Sequence, residues 1–151
     1  MEDSIISKII KDKNIKKILI IDEISYLNKS QNKFDIQDFY KSIKNENIDV
    51  YIISNNLQKG FINIHINSDK ISEVSSYFIK NDIFFDVIID TNSVNYISQL
   101  ATFSLLYKRV LSKYLIKTEE NKENIKILLY NVHKFYKNIS FENNYLIITK
   151  T

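Results

Sequence analysis

Three short polar clusters interrupt the apolar runs of the first ninety residues. Asp22 and Glu23 follow KILII, Ser54 and Asn55 follow DVYII, and Asp90-Thr91-Asn92 follow FFDVII. Carboxylates held at strand ends are suited to binding cations or moving protons. They also meet solvent in any α/β fold, so chemistry requires further partners. The sequence contains no G-x-x-x-x-G-K-[ST] phosphate loop and only 16 residues precede the first strand. His65 and His133 stand far apart without ligand spacing, and there is no cysteine to serve as nucleophile or zinc ligand. These residues therefore support no catalytic, metal or cofactor assignment.

The cations offer a second kind of chemistry. Lys16, Lys17, Lys59, Lys108, Arg109 and Lys113 are the candidates for contact with RNA phosphates or protein neighbours. Lys108, Arg109, Lys113 and Lys117 would share one face if that stretch were helical. Glu119, Glu120 and Glu123 follow closely, as on a solvated face.

The elements that must position these groups follow from periodicity. Ser4 to Lys13 places Ile5, Ile6, Ile9 and Ile10 at helical spacing. Lys17 to Asp22 is almost wholly apolar, as is a parallel strand buried on both faces. Asp35 to Lys44 reads as a helix with Ile36, Phe39, Tyr40 and Ile43 on one stripe and Asp35 as its N-cap, and Asp49 to Ser54 as a second strand. Beyond Gly60, Phe61 to Asn67 alternates in period two, predicting a strand near a sheet edge. Lys70 to Lys80 is helical in pattern and Phe84 to Asp90 is another strand. From Ser93 to Lys117 the period predicts one long helix, from Thr118 to Tyr136 a second, and Tyr145 to Thr149 a last strand. The expected fold is a three-layer, Rossmann-like α/β domain with a mainly parallel sheet and a helical C-terminal half. It occupies residues 1–151 as one domain: 1–90 alternating strand and helix, 91–143 two long helices, 144–151 a final strand.

Composition narrows the class. The 151 residues are 44% hydrophobic and 13% aromatic, which excludes a disordered chain. No apolar run approaches the roughly 20 residues of a bilayer span, so a membrane partner is not expected. A net charge of +3 is modest for a broad nucleic-acid face. Twenty lysines stand against one arginine, with one glycine and no proline. That bias points to an extremely AT-rich gene, such as those of organelles, reduced endosymbionts, parasites or AT-rich viruses.

Three family resemblances rest on these residues. LIID with Glu23, followed by Ser54-Asn55, resembles the Walker B and sensor elements of AAA+ ATPases, which would give Asp22, Glu23 and Asn55 nucleotide-site roles. Asp22 and Ser54 resemble the outer positions of haloacid-dehalogenase-like domains, with Ile24 in place of the second aspartate, which implies an inactive scaffold. The series LIID, helix 35–44, VYIISNN, INIHINSD and the helix carrying Ile71, Val74 and Phe78 resembles the S-two family of small-subunit ribosomal proteins over about sixty residues. This last resemblance implies a non-enzymatic subunit of an organellar, for example mitochondrial, ribosome. Its partners would be ribosomal RNA, neighbouring ribosomal proteins and a separate chain supplying the missing N-terminal half.

Overall fold

The computed structural model describes residues 4–22, 36–44, 46–54, 58–65, 71–91, 96–117, 138–142 and 144–150. In chain order the elements are α1 (Ser4–Lys11), β1 (Lys17–Ile21), α2 (Ile36–Ile43), β2 (Asp49–Ser54), β3 (Ile62–His65), α3 (Ile71–Lys80), β4 (Phe85–Asp90) and α4 (Tyr96–Leu106). A 3-10 turn (Tyr107–Arg109), β5 (Val110–Lys117), β6 (Ile139–Glu142) and β7 (Tyr145–Thr149) complete the described chain.

One seven-stranded sheet runs in the order β3-β2-β1-β4-β5-β7-β6. Strands β1 to β5 pair in parallel, and β7 is antiparallel to both β5 and β6. This is the expected mixed α/β architecture with a mainly parallel sheet. The apolar runs are explained by burial on both faces. Ile18, Ile20, Val50, Ile52, Val87, Ile89 and Leu115 pack with α1 and α2. The alternate residues Leu19, Ile21, Ile53, Ile88, Tyr114 and Ile116 pack with α3 and α4. Ser75 on α3 donates to the Leu105 carbonyl at 2.9 Å and joins the two helices of that layer.

The helical face of α2 is the one read from sequence, with Ile36, Phe39 and Ile43 buried. Strand β3 is an edge strand, as its alternation predicts. Ahead of it Gly60 adopts φ +91°, and a Cβ at that position would overlap the Tyr40 ring. The single glycine thus stands where both backbone conformation and close approach demand one.

The expectation of two long helices over residues 91–143 is corrected in its first part. The helix ends at Leu106, and Val110–Lys117 is a strand. Leu106, Val110 and Tyr114 do recur at helical spacing and are all buried, but Val110 and Tyr114 owe their burial to β5, which sits between β4 and β7. Pairing on both sides completes a backbone hydrogen-bond ladder that no local period reveals. With that segment extended, Lys108, Arg109, Lys113 and Lys117 do not share a helix face. The helix expected over 118–136 lies outside the described residues. Strand β6 had no counterpart in the sequence reading.

Candidate functional site

In an open parallel sheet, ligands bind beyond the carboxyl ends of the strands, where the order reverses. Here β1 lies between β2 and β4, and its connection leads to one side while the chain later returns to the other. The crevice between the ends of β1 and β4 is therefore the place to look.

The buried polar side chains gather there. Asp22, Ser54, Asp90, Thr91, Gln99 and Lys117 are all buried, and Ser75 is the one other buried polar residue among those described. Each strand contributes by its exit: Ser54 ends β2, Asp22 follows β1, Asp90 and Thr91 close β4, and Lys117 ends β5. Gln99 comes from the first turns of α4. A run of apolar residues carries each strand through the core, and the first polar residue falls where the strand leaves it.

Backbone bonds fix these exits relative to one another. The Asp22 N–H donates to the Ile53 carbonyl at 3.0 Å, and the Thr91 N–H donates to Ile21 at 2.9 Å. Thr91 Oγ1 donates to the same Ile21 carbonyl at 2.8 Å. Ser54 Oγ donates to Asp22 Oδ2 over 3.5 Å. The register pairs Ile21 with both Ile53 and Asp90, so the acidic exits of β1 and β4 are adjacent.

On the β5 side, Gln99 Nε2 donates to the Lys117 carbonyl at 2.6 Å, while Gln99 Oε1 is buried with no hydrogen-bond partner among the described residues. The Lys117 ammonium lies 5.2 Å from the centre of the Tyr145 ring. Tyr114 is fully buried beneath α4, its ring 4.9 Å from that of Phe103, and its hydroxyl has no hydrogen-bond partner among the described residues. Burial first, and the Asp90 charge second, push the Tyr114 hydroxyl well above the usual phenol range. The Asp90 carboxylate thus bears on the same layer as Gln99 and Tyr114. The arrangement presents two carboxylates and an amide oxygen as acceptors, with one ammonium at the far side.

Of the residues singled out from sequence, Asp22 belongs to this site, while Glu23 and Asn55 lie outside the described residues. The six cations fall elsewhere. Lys16 and Lys17 open β1, and their backbone N–H groups donate to Asp86 Oδ2 at 2.8 and 3.0 Å. Lys59 is exposed in the turn before β3. Lys108 and Arg109 precede β5, and Lys113 lies in its first half. They stand toward the amino-terminal edge of the sheet, away from the carboxylates. Sequence reasoning does not single out Gln99 or Tyr114, which fall inside the one long helix expected over Ser93 to Lys117, and it places Lys117 on a basic helix face. The available signal was a polar residue interrupting an apolar stripe, which is also what a solvated helix face shows.

No protein-family model matches the chain, and no curated protein matches it. Solved structures do share its fold. The MycE methyltransferase of the mycinamycin biosynthetic pathway, in complex with Mg, SAH and mycinamycin VI, superposes with a TM-score of 0.60 at 14% identity, over 89% of this chain and 44% of that one. A second crystal form of MycE with Mg and SAH gives a TM-score of 0.60 at 14% identity, over 90% of this chain and 44% of that one. The chain thus spans less than half the length of the protein it superposes on.

This likeness corrects the expected kinship. The superposition on MycE extends over 89% of the chain, well beyond the sixty or so residues that carry the S-two resemblance. The reading as a non-enzymatic ribosomal subunit, with its translational and mitochondrial associations, is overturned, and so are the ATPase-derived and dehalogenase-like alternatives. Those resemblances rested on short strand-end patterns that any β-α-β unit in this class presents.

Proposed function

We propose that this chain is an S-adenosylmethionine-binding domain of methyltransferase type, with its cofactor site at the carboxyl ends of β1 and β4. The observation that carries the reading is the pair of buried carboxylates, Asp22 and Asp90, on adjacent strand exits at the reversal of sheet order. Support comes from the shared fold with MycE, whose structures contain SAH.

The donor set suits such a ligand. A sulfonium centre is cationic and ribose hydroxyls are donors, so carboxylates and an amide oxygen are complementary to both. Asp22, braced by Ser54, and Asp90, held through the Thr91 bonds to β1, are the groups that would orient it. One feature of nucleotide-binding α/β folds is missing: no glycine follows β1, the single glycine being Gly60. Close approach of backbone to ligand is therefore restricted there, and side chains carry more of the recognition. When bound, the cofactor supplies a transferable methyl group. This chain's part is to bind it, orient it and exclude water. Among the described residues no group of three histidine or acidic side chains is placed to hold a metal ion, and no step is assigned to one.

Calorimetric titration of the chain with S-adenosylhomocysteine tests the reading. Saturable binding is expected, weakened by about tenfold or more in Asp22→Asn and Asp90→Asn, since each loses a charge-assisted contact. Circular dichroism establishes that the variants are folded. Absence of saturable binding to the unaltered chain at millimolar ligand overturns the proposal.

A further inference from the structure

A cavity of about 80 Å³ lies where the end of α1 and the turn after it cover the first halves of β4 and β5. One wall is apolar and buried, made by Ile9, Ile15 and Val87. The turn holds that wall in place. The Asp12 N–H donates to the Ile9 carbonyl at 3.2 Å, and the Ile15 N–H donates to the Asp12 carbonyl at 3.1 Å.

The other wall depends on an irregularity of β5. Phe85 pairs with Val110 but Val87 pairs with Lys113, so β5 advances three residues where β4 advances two. In a regular strand neighbouring side chains point to opposite faces, whereas a bulge can turn consecutive ones the same way. Ser112 and Lys113 are consecutive, and both line the cavity. Ser112 is pinned there by its carbonyl, which accepts the Lys150 N–H at 2.8 Å. Both residues are half-buried, and neither the Ser112 hydroxyl nor the Lys113 ammonium makes a hydrogen bond or ion pair among the described residues.

The charges define what fits. Lys8 and Asp12 also line the cavity, with opposite signs, and both are exposed. Lys8 Nζ is 3.4 Å from Glu142, and Asp12 Oδ1 accepts the Asn14 N–H at 2.9 Å. Lys113 is left as the inner positive charge, beside a hydroxyl donor and an apolar wall. A half-buried ammonium without a partner favours an anion. A singly charged carboxylate gives one oxygen to each donor and its alkyl part to the isoleucines. A dianion would meet the Asp12 carboxylate with one charge uncompensated, and chloride would leave the apolar wall uncovered. The cavity has the room of two or three waters at about 30 Å³ each, which is the size of a short-chain acid.

We propose that this cavity binds a short-chain carboxylate of acetate or propionate size, with its oxygens on the Lys113 ammonium and the Ser112 hydroxyl and its alkyl end against Ile9, Ile15 and Val87. The site is separate from the cofactor site proposed above and does not depend on it.

The test is titration of the chain with sodium acetate and sodium propionate at constant ionic strength, followed by amide chemical shifts. Saturable shifts centred on Ile9, Val87, Ser112 and Lys113 are expected, with propionate bound at least as tightly as acetate. Acetamide, the uncharged near-isostere, should bind about tenfold more weakly, and inorganic phosphate should not compete. Lys113→Gln should weaken acetate binding by about tenfold and Ser112→Ala severalfold, whereas Lys59→Gln, an exposed cation elsewhere, should leave it unchanged. Circular dichroism establishes that the variants are folded. Shifts that do not saturate, acetamide or phosphate bound as tightly as acetate, or unchanged binding in Lys113→Gln overturns the proposal. If Lys113→Gln does not fold, the unaltered chain decides alone: localised shifts with a preference for acetate over acetamide support the site, and shifts absent or spread over the surface lysines refute it.

Discussion

Ser54 Oγ reaches Asp22 Oδ2 over 3.5 Å across the exits of β2 and β1, in a position where both side chains are buried. The contact joins two strands at the point where each leaves the core, so it shapes the site as well as the sheet. Ser54→Ala is expected to lower stability by about 1 kcal/mol, the usual net worth of one such bond. Urea denaturation measures this. An unchanged midpoint would show that the hydroxyl contributes nothing to the Asp22 position.

Tyr114 connects the site to the pH dependence of folding. Its hydroxyl is buried without a hydrogen-bond partner among the described residues, and its pKa lies well above the ordinary value of 10.0. Below pH 10 the phenol is protonated in folded and unfolded chains alike. Above it the unfolded chain releases the proton while the folded chain retains it, so stability falls as pH rises toward the folded pKa. Tyr114→Phe should remove this part of the alkaline loss. At neutral pH it should leave stability unchanged or raise it by about 1 kcal/mol, because no bond is broken and one buried hydroxyl is removed. Denaturation midpoints from pH 7 to 11 compare the two chains, and a variant clearly destabilised at pH 7 would contradict the assignment.

The layer beneath α3 depends on an aromatic wedge. The Phe78 and Phe85 rings meet at 5.0 Å and 72°, and Phe85 meets Tyr51 at 5.3 Å and 78°. Phe78 and Phe85 are fully buried. Phe78→Ala should cost about 3–5 kcal/mol, and Phe78→Leu less because more of the volume is retained. Thermal and urea unfolding read the difference. Equal losses for the two variants would place the cost in ring contacts rather than in the cavity.

Gly60 gives a two-part test. Gly60→Ala should destabilise by about 1–3 kcal/mol from the backbone conformation alone, with a further loss from overlap with the Tyr40 ring. Pairing it with Tyr40→Ala should recover the overlap and leave the backbone cost. A double-mutant cycle on denaturation midpoints measures that coupling, and purely additive losses would mean that the ring moves aside without cost.

The sequence by itself determined the elements whose burial is written locally. KILII, DVYII and FFDVII are apolar on both faces, so they could only be central strands, and Ile36, Phe39 and Ile43 marked the buried side of α2. The same logic placed Asp22, Ser54 and Asp90 at strand exits, because a polar residue ends a run where the strand leaves the core. The tertiary structure decided what depends on partners distant in sequence. Val110–Lys117 has a helical period yet is a strand, because β4 and β7 offer it backbone bonds on both sides. Its conversion sets Tyr114 against Ile88 of β4 and Ile116 against Asp90, and brings Lys117 to the site edge. It also separates the basic residues that a helix would have grouped. Strand order, too, arises only from pairing. The reversal at β1 that turns three scattered polar residues into one crevice is a property of the assembled sheet, since side-chain periodicity reports which face is buried but not against which strand.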